Sequence, residues 1–511
     1  MVPIMKTPVF DLAIIGGGIN GCGIARDAAG RGLSVFLCEQ HDLANGTSSA
    51  STKLIHGGLR YLEYYEFRLV REALREREVL LRAAPHIIWP LRFILPHHRG
   101  LRPAWLIRLG LFLYDHLGGR ELLPGTTAVD LTRDEAGRVL KKNFRRGFEY
   151  SDCWVIDSRL VILNAMDAAS RGAAIHTRTR LQRASRSGSL WTLELVDSTG
   201  GTTSQVQAKV LVNASGPWLE KLLPAIDHSE GGERIRMVKG SHIIVKKLFD
   251  HPRAYIFQNE DGRIIFAIPF EEHFTLIGTT DLDFHGDPDT VAISEEEVRY
   301  LCRAASEYFV TQLGPADVAG SFSGIRPLFD DGKSDAKAAT RDYVLKLDTG
   351  SGEAPLLSLY GGKITTYRKL AESVLTKLTP FLPTMGPAWT ANACLPGGDF
   401  TPGDFQEEVE KLHRLHPGLG PALASRLVRN YGTRAFAMTT ALGTSHDFGR
   451  HFGAGLHSFE VDYLLTHEWA RCAADILWRR TKLGLLLGDR ETLALEEYVT
   501  ATLETGAAAS R

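Results

Sequence analysis

Short apolar runs alternate with amphipathic stretches through the first 400 residues, and the amphipathic pattern continues alone after them. Residues 10–15 form an apolar run of strand length. A glycine-rich turn, a helical stretch and a second apolar run at 32–38 follow, ending at Glu39. Residues 62–82 carry Glu and Arg three and four positions apart, which predicts a solvated helix face. Pro85, Pro90, Pro96 and Pro103 predict a loop-rich insertion after it. A helix is expected over 159–170 and strands over 174–181, 190–197 and 210–212. From 242 to about 361 the runs become short and turn-punctuated. Residues 242–247, 254–258, 263–269, 274–278, 343–347 and 356–360 read as a mostly antiparallel sheet, interrupted by a helix near 295–313. A further helix begins after Gly362. Residues 380–404 are rich in Pro, Gly and Thr and make a linker. Residues 405–500 are helical in pattern, with Leu464, Trp469, Ala473, Ile476 and Leu477 as a core stripe.

The turn between the first strand and helix reads Gly16-Gly17-Gly18-Ile19-Asn20-Gly21. Gly16 lets the chain reverse, Gly18 lets backbone approach a pyrophosphate, and Gly21 lets the helix lie close on the sheet. The helix start offers unpaired N–H groups and the positive end of its dipole. Glu39 falls roughly 20 residues later, where a carboxylate accepts bonds from a ribose diol and would repel a 2′-phosphate. The fingerprint predicts a dinucleotide site and does not by itself separate FAD from NAD.

Composition changes little in this picture. The chain has 511 residues, enough for two or three domains, and is 44% apolar and 23% charged. A formal net charge of −1 supplies no global field for nucleic acid, so an anion site must be a local cluster. Six separated cysteines without C-x-x-C suggest reduced thiols and neither a zinc ribbon nor a disulfide framework. No metal site is expected. The N-terminal apolar residues run straight into the glycine turn, so no signal peptide is expected, and no stretch reaches the ~18 apolar residues of a membrane span. Residues 105–117 come nearest. Their tryptophan and flanking arginines suit either a helix lying in a membrane interface or a core helix with snorkelling arginines.

Further segments look built for a longer cofactor. Small hydroxyl residues at 47–52, with Ser48 and Ser49, precede Lys53. His56-Gly57-Gly58 would let backbone approach a flat ring. The strand at 210–212 opens on Ala214, Ser215 and Gly216. Gly361-Gly362-Lys363-Ile364-Thr365 repeats the strand, glycine and helix logic, with a helix start placed to stabilise negative charge on a reduced ring. Together they favour a flavin.

These blocks, with Gly147–Trp154, Lys239–His242, Ile277–Asp281, Arg326–Leu328, Thr340–Tyr343 and Gly361–Glu372, span the chain and resemble the FAD-dependent, aerobic respiratory glycerol-3-phosphate dehydrogenases. The resemblance implies noncovalent FAD, oxidation of sn-glycerol 3-phosphate to dihydroxyacetone phosphate, and electron delivery to a membrane quinone. It also implies peripheral, monotopic attachment to the cytoplasmic face of the inner membrane, turns the 105–117 segment towards that membrane, and leaves a homodimer open. The fold class expected is α/β: a Rossmann-like FAD-binding domain, an antiparallel-sheet substrate domain and a C-terminal helical cap. FAD segments are expected at about 8–82, 145–235 and 350–385, the substrate sheet at about 236–349, a membrane-facing insertion at about 85–125, and the cap at 404–511. Fewer family motifs fall in the cap.

The site is assigned accordingly. Cofactor contacts are expected from Gly16, Gly18, Ile19, Asn20, Gly21, Glu39, Ser48, Ser49, Lys53, His56, Gly57, Ala214, Gly216, Gly362, Lys363 and Ile364. Family matching carries substrate binding onto Arg60, Tyr61, Arg326, Arg341, Lys363 and Thr365, since a phosphate dianion calls for planar cationic donors. His242 is the preferred base and His56 the alternative. Arg326, always protonated, and Lys363 would stabilise charge on the reacting oxygen. Two rivals share the pattern: a soluble oxidase that passes electrons to oxygen, and a non-enzymatic flavin-binding scaffold.

Overall fold

The computed structural model describes residues 8–227, 234–259, 261–330, 342–350, 352–440, 442 and 447–509. The apolar run at the N-terminus is the central strand Val9–Ile15 of an eight-stranded sheet. Thr203–Asn213 and Val35–Cys38 flank it in parallel, and Leu356–Tyr360 and Ala174–His176 extend the parallel set outward. Such strands are covered on both faces and read as continuous apolar runs. Their core includes Leu12, Ile14, Val35, Leu37, Val210 and Val212, under the helices Ile19–Gly30, Asp157–Ser170 and Tyr367–Leu378.

A ten-stranded sheet lies beside it. Ile235–Lys246 pairs antiparallel with Phe274–Gly278 and with Val318–Phe329. Ile264–Phe270 and Ala254–Gln258 continue the order. The sheet is larger than the expected 236–349 span because Ile88–His97 and Arg146–Val155 join it. The first of these overturns the expected loop-rich insertion. Pro90 and Pro96 sit within a ten-residue strand, where each lacks one ladder donor while its neighbours Phe93, Ile94 and Leu95 are buried. The second moves 146–155 out of the expected FAD segment.

The charged stretch at 62–82 also differs from its expected form. A 3-10 turn, Leu59–Tyr64, ends at Tyr65 with φ +61°, and the helix proper is Phe67–Ala83. Glu76, Arg77 and Glu78 are buried in it. Arg77 donates to Asp152 at 2.7 Å, and Glu76 accepts from Arg368 Nε at 2.8 Å. Arg68, Arg71 and Arg75 keep the expected solvated face, while Glu76, Arg77 and Glu78 form a buried ion-pair face on the same helix.

The C-terminal domain packs Phe405–Leu415, Gly420–Tyr431, Ser458–His467 and Asp489–Ala509 around their own core, with a short hairpin, His451–Gly453 with Leu456–His457. The expected stripe is split. Leu464, Ala473, Ile476 and Leu477 fill this core, while Trp469, at φ +57°, packs on the core of the parallel sheet. Arg159 and Glu468 join the two domains by a fully buried pair. All six cysteines are free.

Candidate active site

The parallel strands Val9–Ile15, Val35–Cys38, Thr203–Asn213 and Leu356–Tyr360 end around one cavity of about 780 Å³. Ligands in α/β folds bind beyond the carboxyl ends of such strands. The cavity runs from Gly16 and Glu39 to His56, His242, Arg326 and Lys363, and so spans both sheets.

At one end, the glycine turn is sterically compelled. Gly16 has φ +111°, and a Cβ there would meet Ala214 O at 2.6 Å. A Cβ on Gly21 would meet Gly16 O at 1.9 Å, so helix and strand can approach only without a side chain. Gly21 thus serves packing and does not line the cavity, whereas Gly16, Gly18, Ile19 and Asn20 do. The helix Ile19–Gly30 has no acidic residue in its first turn, and Ile19 N–H donates to Ser48 Oγ at 3.0 Å. Glu39 accepts from Gly17 N–H at 2.7 Å and from His41 N–H at 2.8 Å. Burial holds its carboxyl above the usual range against the pull of these two amides.

At the other end, Gly361 and Gly362 turn the chain with φ +76° and +97° after Leu356–Tyr360. Asn20 Nδ2 donates to Gly361 O at 3.2 Å and ties the two glycine turns together. Lys363, Ile364 and Thr365 line the cavity. Thr365 Oγ1 accepts from His56 N–H at 3.2 Å, and Lys363 Nζ lies 3.9 Å from the centre of the Tyr61 ring. Arg60 reaches Tyr64 Oη at 3.5 Å. Arg326, on Val318–Phe329, is ion-paired to Asp281, and its guanidinium fills the space above Gly240. Ala214, Gly216 and Ser48 also line the cavity. Arg341 lies outside the described residues.

His242 is buried between Thr52, whose Oγ1 is 3.0 Å from its Nε2, and Phe322, stacked at 4.8 Å. Burial, with Lys53 and Arg326 nearby, pushes its pKa down to about 3. Burial also lowers His56, and lowers His86 strongly. The unfolded chain therefore takes up protons near pH 6.5 that the fold resists, so this part of the stability is intact above pH 6.5 and is lost as pH falls towards 3. The fall in melting temperature between pH 7 and pH 4.5 is expected to be smaller for His242→Gln than for the parent protein.

Besides Gly21, three expected cofactor residues do not line the cavity. Lys53 is buried, with Nζ 2.8 Å from Asp157 Oδ2 and 3.0 Å from Ser49 O, and it turns away from the cavity. Ser49 bonds weakly back to Gly46 O. Gly57 donates to Tyr114 Oη at 2.7 Å, and a Cβ there would strike Leu74 at 2.4 Å, so it serves packing, while Gly58 lines the cavity. Thr52 falls in the hydroxyl segment 47–52, whereas sequence reasoning missed Asp152, Thr279 and Asp281, although each stands inside one of the family motif blocks.

The cavity suits an extended dinucleotide. It has the volume of a cofactor site. Gly216, at φ +59°, faces open space that a Cβ would fill, and Asn20 Oδ1 is buried without a partner. Among the described residues no group of three or more His, Cys, Asp or Glu could hold a metal ion.

Comparison with known proteins agrees with this geometry. The family model of FAD-dependent oxidoreductases matches residues 11–368, and that of the C-terminal domain of alpha-glycerophosphate oxidase matches 388–505. A glycerol-3-phosphate dehydrogenase of Pseudomonas aeruginosa is 56% identical over 96% of this chain and 95% of its own. A D-erythritol 1-phosphate dehydrogenase of Brucella abortus is 52% identical over 96% of this chain and 97% of its own. The structure of a Bacillus halodurans glycerol-3-phosphate dehydrogenase complexed with FAD superposes with a TM-score of 0.77 at 26% identity, covering 98% of this chain and 95% of its own. The chain is an FAD-dependent oxidoreductase and belongs to the glycerol-3-phosphate dehydrogenase family.

Proposed function

We propose that this chain oxidises sn-glycerol 3-phosphate to dihydroxyacetone phosphate and passes the electrons to a membrane quinone. The observation that carries this reading is that one cavity unites a dinucleotide cradle with Arg60, Arg326, Lys363, His56 and His242. FAD supplies a two-electron acceptor that the side chains lack. Gly16, Gly18, Ile19, Asn20, Glu39 and Ser48 would hold its adenosine and phosphates, and His56, Ala214, Gly216, Gly362, Lys363 and Ile364 its ring.

The remaining chemistry falls to the chain. Arg326, with Arg60 and Lys363, binds the phosphate dianion, and Asp281 fixes the guanidinium plane so that little ordering is left to binding. Arg326 keeps its proton and so stabilises negative charge on oxygen without acting as a base. His242 takes the alcohol proton. Its ring is neutral at pH 7, and the Thr52 contact fixes the ring's orientation. A dianion beside Arg326 cancels part of the positive field that depresses its basicity.

The helix Ala104–Leu117 buries Leu111 and Tyr114 and exposes Trp105 (68%), Leu109 (48%) and Phe112 (56%). The neighbouring turn exposes Tyr64 and Tyr65, and Phe67 at the start of the next helix is exposed beside them. No described helix is long and apolar enough to cross a membrane. An apolar face of this kind, beside Arg99, Arg102 and Arg108, suits peripheral contact with an anionic bilayer, which would be the cytoplasmic face of the inner membrane in this reading. Trp105→Glu with Phe112→Glu is expected to abolish co-sedimentation with anionic vesicles while flavin content stays unchanged.

The test of the reaction is anaerobic. Adding sn-glycerol 3-phosphate to the yellow protein is expected to bleach the flavin bands, with reoxidation faster by quinone than by oxygen. Fast reoxidation by oxygen would instead favour the oxidase. The Brucella abortus relative supports a second reading, a four-carbon polyol phosphate. Faster bleaching by D-erythritol 1-phosphate would move the assignment there, and bleaching by neither would leave a scaffold.

A further inference from the structure

The loop after Glu39 is a thin partition. Gln40, His41 and Asn45 line the large cavity on one side and, on the other, a smaller one of about 260 Å³ whose far wall includes Arg178, Asp475 and Arg479. The loop's inner anchors are Leu43, fully buried, and Ala44, whose N–H donates to Gly17 O at 3.0 Å.

Its outer anchor belongs to the cap domain. The carboxylate of Asp42 accepts from Arg480 Nη1 at 2.7 Å, from Arg480 Nη2 at 2.9 Å and from Arg479 Nε at 2.5 Å. Arg480 and Asp42 are 0% and 1% exposed. Both arginines sit in one π-helical turn, Asp475–Arg480, which brings consecutive side chains to one carboxylate. Behind them, Arg479 pairs with Asp475, and Asp475 also accepts from Arg178 Nη2 at 2.8 Å and Arg471 N–H at 2.7 Å. The network joins residues 437 and 438 positions apart in sequence to fix this loop.

We infer that Arg479 and Arg480 are positioning residues for FAD: through Asp42 they hold the 40–46 loop at the wall of the adenosine end, so the helical cap completes the cofactor site without touching the cofactor. The inference rests on the adenosine half lying against Glu39 and this loop. Asp42 faces away from the large cavity, so its effect on the cofactor must pass through the backbone of its neighbours. A bidentate fork is suited to this because it fixes direction as well as distance.

A second contact separates positioning from simple domain docking. Arg429, on Gly420–Tyr431, joins the same two domains: its Nη1 donates to His86 O at 3.2 Å and its guanidinium lies 4.3 Å from the centre of the Trp89 ring, and none of the three lines the large cavity. The experiment uses the full-length holoprotein with Asp42→Asn, Arg480→Lys, Arg429→Gln or Glu39→Gln. It reads the rate of FAD release, as flavin fluorescence recovered on dilution, and the melting temperature of the apoprotein. Asp42→Asn and Arg480→Lys are expected to speed release by about tenfold or more, the scale of a lost charge-assisted bond. Arg429→Gln is expected to lower the apoprotein melting temperature comparably and leave release within about twofold. Equal acceleration in all three variants overturns the inference in favour of domain docking. Faster release from Glu39→Gln alone also overturns it, while leaving the adenosine placement standing. Unchanged release in both Glu39→Gln and Asp42→Asn overturns that placement itself. If Asp42→Asn does not fold, Arg479→Gln, at a side chain still 15% exposed, is expected to accelerate release by a smaller factor, and no acceleration overturns the inference.

Discussion

Arg326→Ala is expected to lower kcat/KM for sn-glycerol 3-phosphate by about 10²–10⁴-fold while flavin content stays at the parent level. The guanidinium lines the cavity from the antiparallel sheet, on the strand Val318–Phe329, whereas the glycine turns that would hold FAD belong to the parallel sheet. The substitution therefore strips a donor from the substrate side and leaves the cradle in place. Two charge-assisted bonds to a phosphate dianion contribute about 3–6 kcal/mol together, which sets the size of the loss. The unpaired Asp281 left behind adds a repelling charge and deepens it. Arg326→Lys should recover only part of the activity, because an ammonium cannot reproduce the planar fork. Steady-state kinetics with absorbance at the flavin bands distinguish the cases. Loss of flavin with unchanged affinity for the phosphate would place Arg326 in the cofactor site and refute the assignment.

Gly21→Ala is expected to yield protein with less than about a tenth of the parent flavin content, even after incubation with excess FAD. The added methyl would stand 1.9 Å from the carbonyl oxygen of Gly16 and 3.1 Å from its carbon, which are backbone atoms of the turn itself. No rotamer change relieves such a contact. The helix Ile19–Gly30 must shift off the strand Val9–Ile15, and its N-terminal amides move away from the phosphates they would bind. The measurement is the ratio of flavin to protein absorbance, with circular dichroism to show that the helices persist. Gly172→Ala is the comparison. Unlike Gly21 it sits at positive φ (+93°), but its Cβ would meet nothing within 4 Å, so it carries backbone strain without the clash and should retain flavin.

The glycine turn and Glu39 were legible because their constraints are local: a strand, a turn and a helix start set one another's geometry within thirty residues. Lys53 was misread because its partner, Asp157, is 104 residues away, and a lysine beside hydroxyl residues looks equally ready for a phosphate. Glu76 and Arg77 were misread as a solvated face because helical spacing offers each a nearby opposite charge. The fold instead pairs them with Arg368 and Asp152 across buried distances, where a low dielectric makes partner choice matter far more. Pro90 and Pro96 signalled a loop by their missing donors, yet a strand tolerates such gaps where the ladder does not need that N–H.

By itself, then, the chain specified what repeats or turns over a few residues: the apolar strands, the α/β class, the glycine cradle and the helical C-terminal fifth. Tertiary structure alone decided which of those groups share a cavity and which charges neutralise each other out of sight. It brought His242 to Thr52, set Arg326 against Asp281, and pressed two arginines of the cap onto the loop beyond Glu39. The physical reason is range. Backbone sterics and hydrophobic periodicity act between near neighbours along the chain, whereas ion pairing, burial and cavity shape depend on separations in space that only the packed fold defines.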